Sequence, residues 1–211
     1  MDKHLCTLCQ RLPELQEVAA DIQAAAACCI GSFRSGGRLF LCGNGGSFSD
    51  AEHIAGELMK GFLKRRPVAS AEQSSLRAVC GSDGEVLARS LQGGLPALVL
   101  GSERSLSTAV SNDTDPSMIF AQPLYVMGRP GDVFLGISTS GNARNVALAC
   151  QVARHRGLHT IGLTGRSGGR LRELCEHCIG VPADETYRVQ ELHVAVYHCL
   201  CAMLEAAFFD D

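Results

Sequence analysis

Five short apolar runs constrain this chain more than any other feature: RLFLCG (38–43), PALVLG (96–101), DVFLGIS (132–138), HTIGLTG (159–165) and HCIGVP (177–182). Each is continuous rather than alternating, the pattern of a strand buried on both faces. Helix-length amphipathic segments separate most of them, such as ARNVALACQVARHRG (143–157). Strand alternating with helix predicts an α/β fold, a parallel sheet covered on both sides. Residues 2–34 and 187–208 read as long flanking helices, the first interrupted or started near Pro13. DPSMIFAQPLYVMG (115–128) opens with Asp115 at an N-cap and Pro116 at the first helical position. Residues 68–95 are the least regular part. Gly81, Gly84, Gly93 and Gly94 break one or two short helices there, and Leu76, Val79, Val86, Leu87 and Leu91 supply a stripe for burial. The reading is one domain over 1–211, with 68–95 an elaboration within it.

Composition then excludes several classes. With 211 residues, 46% of them hydrophobic, the chain can bury a sizeable core as one domain. A net charge of −3 gives no bulk electrostatic reason to expect nucleic acid or a membrane surface as partner. MDKHLCTLCQRLPEL lacks the layout of a secretory signal, and no apolar run approaches the ~18 residues of a membrane span. Eleven cysteines, an odd count, read as reduced thiols of a cytoplasmic protein that serve as small buried hydrophobes. Cys6/Cys9 and Cys175/Cys178 lack the partner spacing of a zinc finger or ribbon and read as packing residues.

Ligands of an open parallel sheet bind beyond the carboxyl ends of its strands. GNGGS (43–47) follows the first run, STSGN (138–142) the third and TGRSGG (164–169) the fourth. Glycine lets the backbone approach a ligand closely, while Ser and Thr hydroxyls and the free N–H groups of a following helix suit a phosphate. The dinucleotide fingerprint fails, because Phe48 stands at its third glycine, and no Walker lysine follows either loop. The anion expected is a phosphate monoester held by hydroxyls and backbone dipoles.

GNGGSxxDAxHxxxEL, followed by GISTSGN, LTG and a late VQE-LH, resembles the sugar isomerase (SIS) family, and within it the phosphoheptose isomerases. The likeness spans nearly the whole chain except residues 68–95. It implies a five-stranded, flavodoxin-like three-layer sheet between helices, and a homotetramer with active sites at subunit interfaces. It implies an aldose–ketose isomerase taking sedoheptulose 7-phosphate to a heptose 7-phosphate through an enediol. Asn44, Gly45, Gly46 and Ser47 match the family's first substrate loop. Ser138, Thr139 and Ser140 match its phosphate loop, and Asn112–Asp113 a pair lining the site. His53, Glu57, Gln190 and His198 match positions that are similar to a zinc site, with Gln190 also touching substrate and Glu57 and His198 acting in proton transfer. The chain departs from the pattern at Ala143, where a Ser often supplies a phosphate hydroxyl, and at Tyr187, where an Asp often precedes the Arg–X–Gln stretch. Other SIS proteins are sugar-phosphate sensors or adaptors of the bacterial replication initiator. The adaptors lack the helix Glu and the last-helix His that this chain keeps as Glu57 and His198. An isomerase of another sugar phosphate is a further reading.

The residues carry chemistry on their own terms. His53 and Glu57, spaced i, i+4, share a helix face and can share a metal or a substrate. Gln190 and His198 lie roughly 12 Å apart along a helix at ~1.5 Å per residue, so both reach one ion only if it sits between them. His193 competes with His198, and helical geometry alone does not choose. An isomerase needs a base over the C1–C2 edge, an acid or electrophile at the carbonyl and a distal phosphate anchor. Glu57 is the expected base, and its role as ligand pulls against that role. Residues 68–95 are expected either to decorate the surface or to close over the site, with Arg77 or Arg89 reaching substrate.

Overall fold

The structure, a computed structural model, describes residues 2–209. Five parallel strands, β1 (Leu39–Cys42), β2 (Ala97–Val99), β3 (Val133–Ser138), β4 (His159–Thr164) and β5 (His177–Gly180), line up in the order β2-β1-β3-β4-β5. All five coincide with the five apolar runs. This is the flavodoxin-like order, which reverses direction between β1 and β3 and opens a crevice beyond their carboxyl ends.

Alternation along each strand builds the two faces. Leu39, Leu41, Val133, Leu135, Ile137, Ile161 and Leu163 point to one side. There they meet α1 (Lys3–Arg11), α2 (Ala19–Arg34), α3 (Gly46–Met59) and the last helix, α10 (Thr186–Phe208). Phe40, Cys42 and Phe134 point to the other side, against α7 (Ala121–Met127), α8 (Arg144–His155) and α9 (Gly169–Leu174). Three more helices, α4 (Ser70–Val79), α5 (Gly84–Ser90) and α6 (Arg104–Asp113), sit on the β1-to-β3 connections. Small residues bring the helices close. α2 buries Ala19, Ile22, Ala25, Ala26 and Cys29 at helical spacing. A side chain at Gly136 would run into Val146 of α8 at 2.8 Å.

Pro13 starts a 3-10 turn, Pro13–Val18, between α1 and α2. Asp115 caps a short 3-10 turn, Pro116–Met118, accepting from the Ser117 N–H, and α7 begins only at Ala121. Helix α10 is long and apolar enough to cross a bilayer by length and composition, contrary to the expectation that no run comes near. It is the central core helix instead, with Val189, Leu192, Val196, Leu200 and Leu204 buried.

Residues 68–95 do form two short helices, α4 and α5, around a turn at Gly81, whose φ is +56°. The expected burial follows only in part. Leu76 and Leu87 are half-buried where the two helices pack on each other, but Val79 is 80% exposed, Val86 54% and Leu91 46%. Arg77 is spent on Glu85 at 2.6 Å, and Arg89 also faces Glu85. Neither arginine is directed at a substrate loop within the protomer.

Candidate active site

The loops after β1 and β3 flank the crevice at the sheet's reversal, and each is shaped by glycine. Gly45 holds φ +56°, turning the chain so that α3 starts at Gly46. The Ser47 N–H donates to the Asn44 carbonyl at 3.1 Å, and Ser47 itself is buried. Gly46 leaves room for Gln190: a Cβ there would collide with the side-chain amide nitrogen of Gln190. Ser138 ends β3 in a buried position, Thr139 is half-buried and Ser140 exposed. Gly141, at φ +69°, turns the loop into α8. The loop after β4 braces it, with the Leu171 N–H donating to the Gly141 carbonyl and the Gly165 N–H to the Thr139 carbonyl. Ala143 is the N-cap of α8 and supplies no side-chain cap. Tyr187 is 67% exposed.

α3 and α10 pack face to face and bring three of the four ligand-type side chains, His53, Glu57 and His198, together. His53 Nε2 lies 3.1 Å from Glu57 Oε1 and 3.5 Å from His198 Nε2. Gln190 lies two turns earlier on α10, over Gly46. His198 is half-buried and stacks on Phe62, with ring centroids 5.7 Å apart. Burial and the neighbouring His53 hold its pKa below the ordinary histidine value, partly offset by Glu57. The competing His193 is wholly enclosed, and burial takes its pKa down to about 4. It faces the core, so packing selects His198 where spacing could not.

Asn112 and Asp113 end α6 and hydrogen-bond to each other at 2.8 Å. Asn112 lines a separate cleft of about 620 Å³ with Phe48, Glu52 and Ser107, near the start of α3 rather than against the histidines.

Three features escaped the sequence reading. Tyr197 touches His53 Nδ1 with its hydroxyl at 3.0 Å, and Asp50 lies beyond it. Burial raises the Tyr197 pKa, and the Asp50 charge adds to the rise. The Asp50 carboxyl is also raised, by burial, with its Tyr197 hydrogen bond and His53 acting against the rise. Lys60 Nζ stands 3.5 Å from Glu57 Oε2. The third is a buried ion pair, Arg66 Nε to Glu205 Oε1 at 2.8 Å, with both side chains at most 1% exposed. Burial pushes the Glu205 carboxyl up, but three backbone N–H groups, from Phe62, Leu63 and Lys64, together with Arg66 bring it below the usual value. Arg66 also donates to the Leu58 and Glu57 carbonyls, so this pair anchors the end of α3 that carries Glu57. An aspartate or arginine buried by a partner more than a hundred residues away leaves no periodic signal.

Two separations around His53 can be set against the spacing of ligands on a tetrahedral ion. At Zn–N and Zn–O distances near 2.0–2.1 Å, tetrahedral ligand atoms lie about 3.3–3.4 Å apart. The 3.1 and 3.5 Å separations around His53 Nε2 bracket that spacing. Among the described residues, no three or more His, Cys, Asp and Glu side chains stand together as a group that could hold a metal ion.

The comparisons with known proteins bear on the family and the fold. A family description reading "SIS domain" matches residues 7–90 and 83–165. The phosphoheptose isomerase of Akkermansia muciniphila is 37% identical over 195 residues, 92% of this chain and 89% of that protein. That of Rhodospirillum rubrum is 37% identical over 211 residues, 98% of each chain. The solved phosphoheptose isomerase of Neisseria gonorrhoeae superposes with a TM-score of 0.72 at 28% identity, covering 95% of this chain and 96% of that one. On these grounds the chain belongs to the SIS domain family, among its phosphoheptose isomerases.

Proposed function

We propose that the protein is a phosphosugar isomerase that interconverts sedoheptulose 7-phosphate and a heptose 7-phosphate. One observation carries the reading beyond the likeness itself. His53, Glu57 and His198 converge where α3, the helix that follows the first glycine-shaped loop, packs on α10. A sensor needs the loops alone; proton transfer needs the acid–base cluster as well.

In this reading Ser138, Thr139 and Ser140, with the N-terminal amides of α8, hold the phosphate, and the α3 loop, Asn44 to Ser47, holds the hydroxyls nearer the carbonyl. In this reading Asn112, which lines the cleft at the start of α3, and its neighbour Asp113 meet substrate only on that side, away from the histidines. Glu57 removes the proton from one of the two carbons flanking the C1–C2 bond and returns it to the other, and His198 relays protons between the oxygens. The enediol forms and collapses with no net change in atoms or electrons. Fixing the sugar by its far phosphate holds the C–H bond at the carboxylate, which is where orientation lowers the barrier.

His53, Glu57, Gln190 and His198 would hold a zinc ion. Bound there, zinc supplies a Lewis acid for the substrate oxygens. The two oxygens of Glu57 can divide the work, since Oε1 faces the histidines while Oε2 faces Lys60. The reading includes a homotetramer. Its support here is the exposed part of the apolar stripe of α4 and α5, Val79, Val86 and Leu91. It also includes a cytoplasmic location, supported by eleven cysteines in a chain with no disulfide among the described residues.

The test is an NMR assay of the pure protein with sedoheptulose 7-phosphate, beside pentose and hexose phosphates. The expected result is interconversion of the heptose pair alone. Turnover confined to a pentose or hexose phosphate would reassign the substrate, and binding with no turnover of any sugar would favour the sensor.

A further inference from the structure

We propose that Lys60 is a further catalytic residue, whose ammonium group holds the negative charge that forms on a substrate oxygen when Glu57 takes the proton. The inference rests on the isomerase reading above and names the group that answers the base. Four side chains stand in a row. His198 Nε2 lies 3.5 Å from His53 Nε2, His53 Nε2 lies 3.1 Å from Glu57 Oε1, and Lys60 Nζ lies 3.5 Å from Glu57 Oε2. The Lys60 side chain is 60% exposed and that of His53 45%, so the row is open to a ligand from solvent. An ammonium group brings donors only, three on one nitrogen.

A lysine three residues beyond a glutamate is often no more than a surface partner. Lys60 differs in what holds it. It is the C-cap of α3, and its ammonium also donates to the Gly61 carbonyl at 3.2 Å. The chain beyond it is braced residue by residue. The Gly61 N–H donates to Gln92 Oε1 at 2.7 Å, and the Phe62, Leu63 and Lys64 N–H groups donate to the buried Glu205 carboxylate. Phe62 in turn stacks on His198. One braced segment thus carries both the cation beside Glu57 and the ring that covers His198, the two groups given the proton work. Arg66, on the same segment, is enclosed and committed to Glu205 and to the Leu58 and Glu57 carbonyls, so it does not reach the carboxylate from the open side.

When a proton leaves the carbon beside a carbonyl, the C–H electron pair becomes a carbon–carbon double bond and the carbonyl π pair moves onto oxygen. The proton goes to Glu57 and the oxygen becomes an alkoxide. Reacting atoms stand ~3–3.5 Å apart before such a step. A carbon at that distance from Glu57 Oε2 brings its neighbouring oxygen within reach of an ammonium that is itself 3.5 Å from Oε2. Lys60 donates a hydrogen bond to this oxygen and keeps its own proton, and the enediolate is held until His198 returns a proton to it. No atom or electron is gained or lost. Removing one donor aimed at developing charge typically costs ~10²–10³-fold in kcat.

The test is steady-state kinetics across pH, with Lys60→Met and Lys60→Arg beside the wild type and sedoheptulose 7-phosphate as substrate. Lys60→Met keeps the stem and loses the charge. Its plateau kcat is expected to fall ~10²–10³-fold while KM stays within about threefold. Lys60→Arg, which keeps the charge, is expected to lie between that variant and the wild type. A Lys60→Met protein with the wild-type plateau kcat overturns the proposal. So does one that loses only affinity, or whose pH profile shifts without a lower plateau, since Lys60 would then only bind substrate or tune Glu57. A wild type that turns over no sugar phosphate overturns the proposal together with the isomerase reading.

Discussion

Asn44 and Asn145 exchange two hydrogen bonds of 2.9 Å, each side-chain amide donating to the other's carbonyl oxygen. Residues 101 positions apart are thereby joined across the reversal point of the sheet, tying the loop after β1 to the first turn of α8. Asn145→Ala removes both bonds from an exposed place. At ~0.5–1.5 kcal/mol each, their loss is expected to lower the melting temperature by several degrees, at ~2–4 °C per kcal/mol for a chain of this size, and to raise the KM for sugar phosphate about tenfold. Steady-state kinetics beside a thermal melt checks this, and an unchanged KM would mean that the two loops keep their places without the pair.

Ser138 and Ser140 test the phosphate loop. Changing both to Ala removes two hydrogen bonds to a charged group, worth ~1.5–3 kcal/mol each. Apparent affinity is expected to fall at least tenfold, by calorimetry with sedoheptulose 7-phosphate or inorganic phosphate. A folded double variant with wild-type affinity would remove the loop from the site.

The buried Arg66–Glu205 pair anchors the end of the helix that bears Glu57. Glu205→Gln leaves the Arg66 charge enclosed without its counter-ion, a change that costs ~3–5 kcal/mol when one partner of a buried pair is removed. Urea unfolding should show that loss. The carboxyl of Glu205 sits below the ordinary value of 4.5, so its stabilisation is present above that value and is lost as the pH falls through the lower folded value.

His193 gives acid sensitivity of the other origin. Its pKa falls from 6.5 to about 4 on folding because the ring is enclosed. Between those values the unfolded chain binds the proton and the folded chain does not, so stability drops as pH falls from 6.5 toward 4. The full effect is about 3 kcal/mol at 1.36 kcal/mol per pKa unit. His193→Phe is expected to flatten this part of the profile relative to wild type in denaturant titrations at stepped pH. Parallel profiles for the two proteins would mean that the ring is protonated inside the fold.

The sheet was legible because strands buried on both faces must be continuous apolar runs, and the turns were legible because Gly45 and Gly141 occupy positive φ. The pairing of His53 with Glu57 followed from helical spacing. The choice between His193 and His198 did not, since which face of α10 meets α3 is decided by packing across the whole layer. Asp50 and Tyr197 gave no sign, because their meaning lies in a contact spanning 144 residues, from His53 to Tyr197. Glu205 sits in an apolar helix and Arg66 in a basic run, and neither setting announces the other. The stripe of α4 and α5 was found correctly as a pattern, but amphipathicity says that a face is apolar and not what covers it.

The account stands on Glu57 as the group that moves the proton, and solvent exchange reads that step directly. Sedoheptulose 7-phosphate incubated in deuterium oxide with the wild-type protein is expected to gain deuterium at C1 or C2. With Glu57→Gln, which keeps the size of the side chain and removes its carboxylate, the substrate is expected to bind still while exchange slows ~10²–10⁴-fold. A Glu57→Gln protein that exchanges the proton at the wild-type rate would contradict the account.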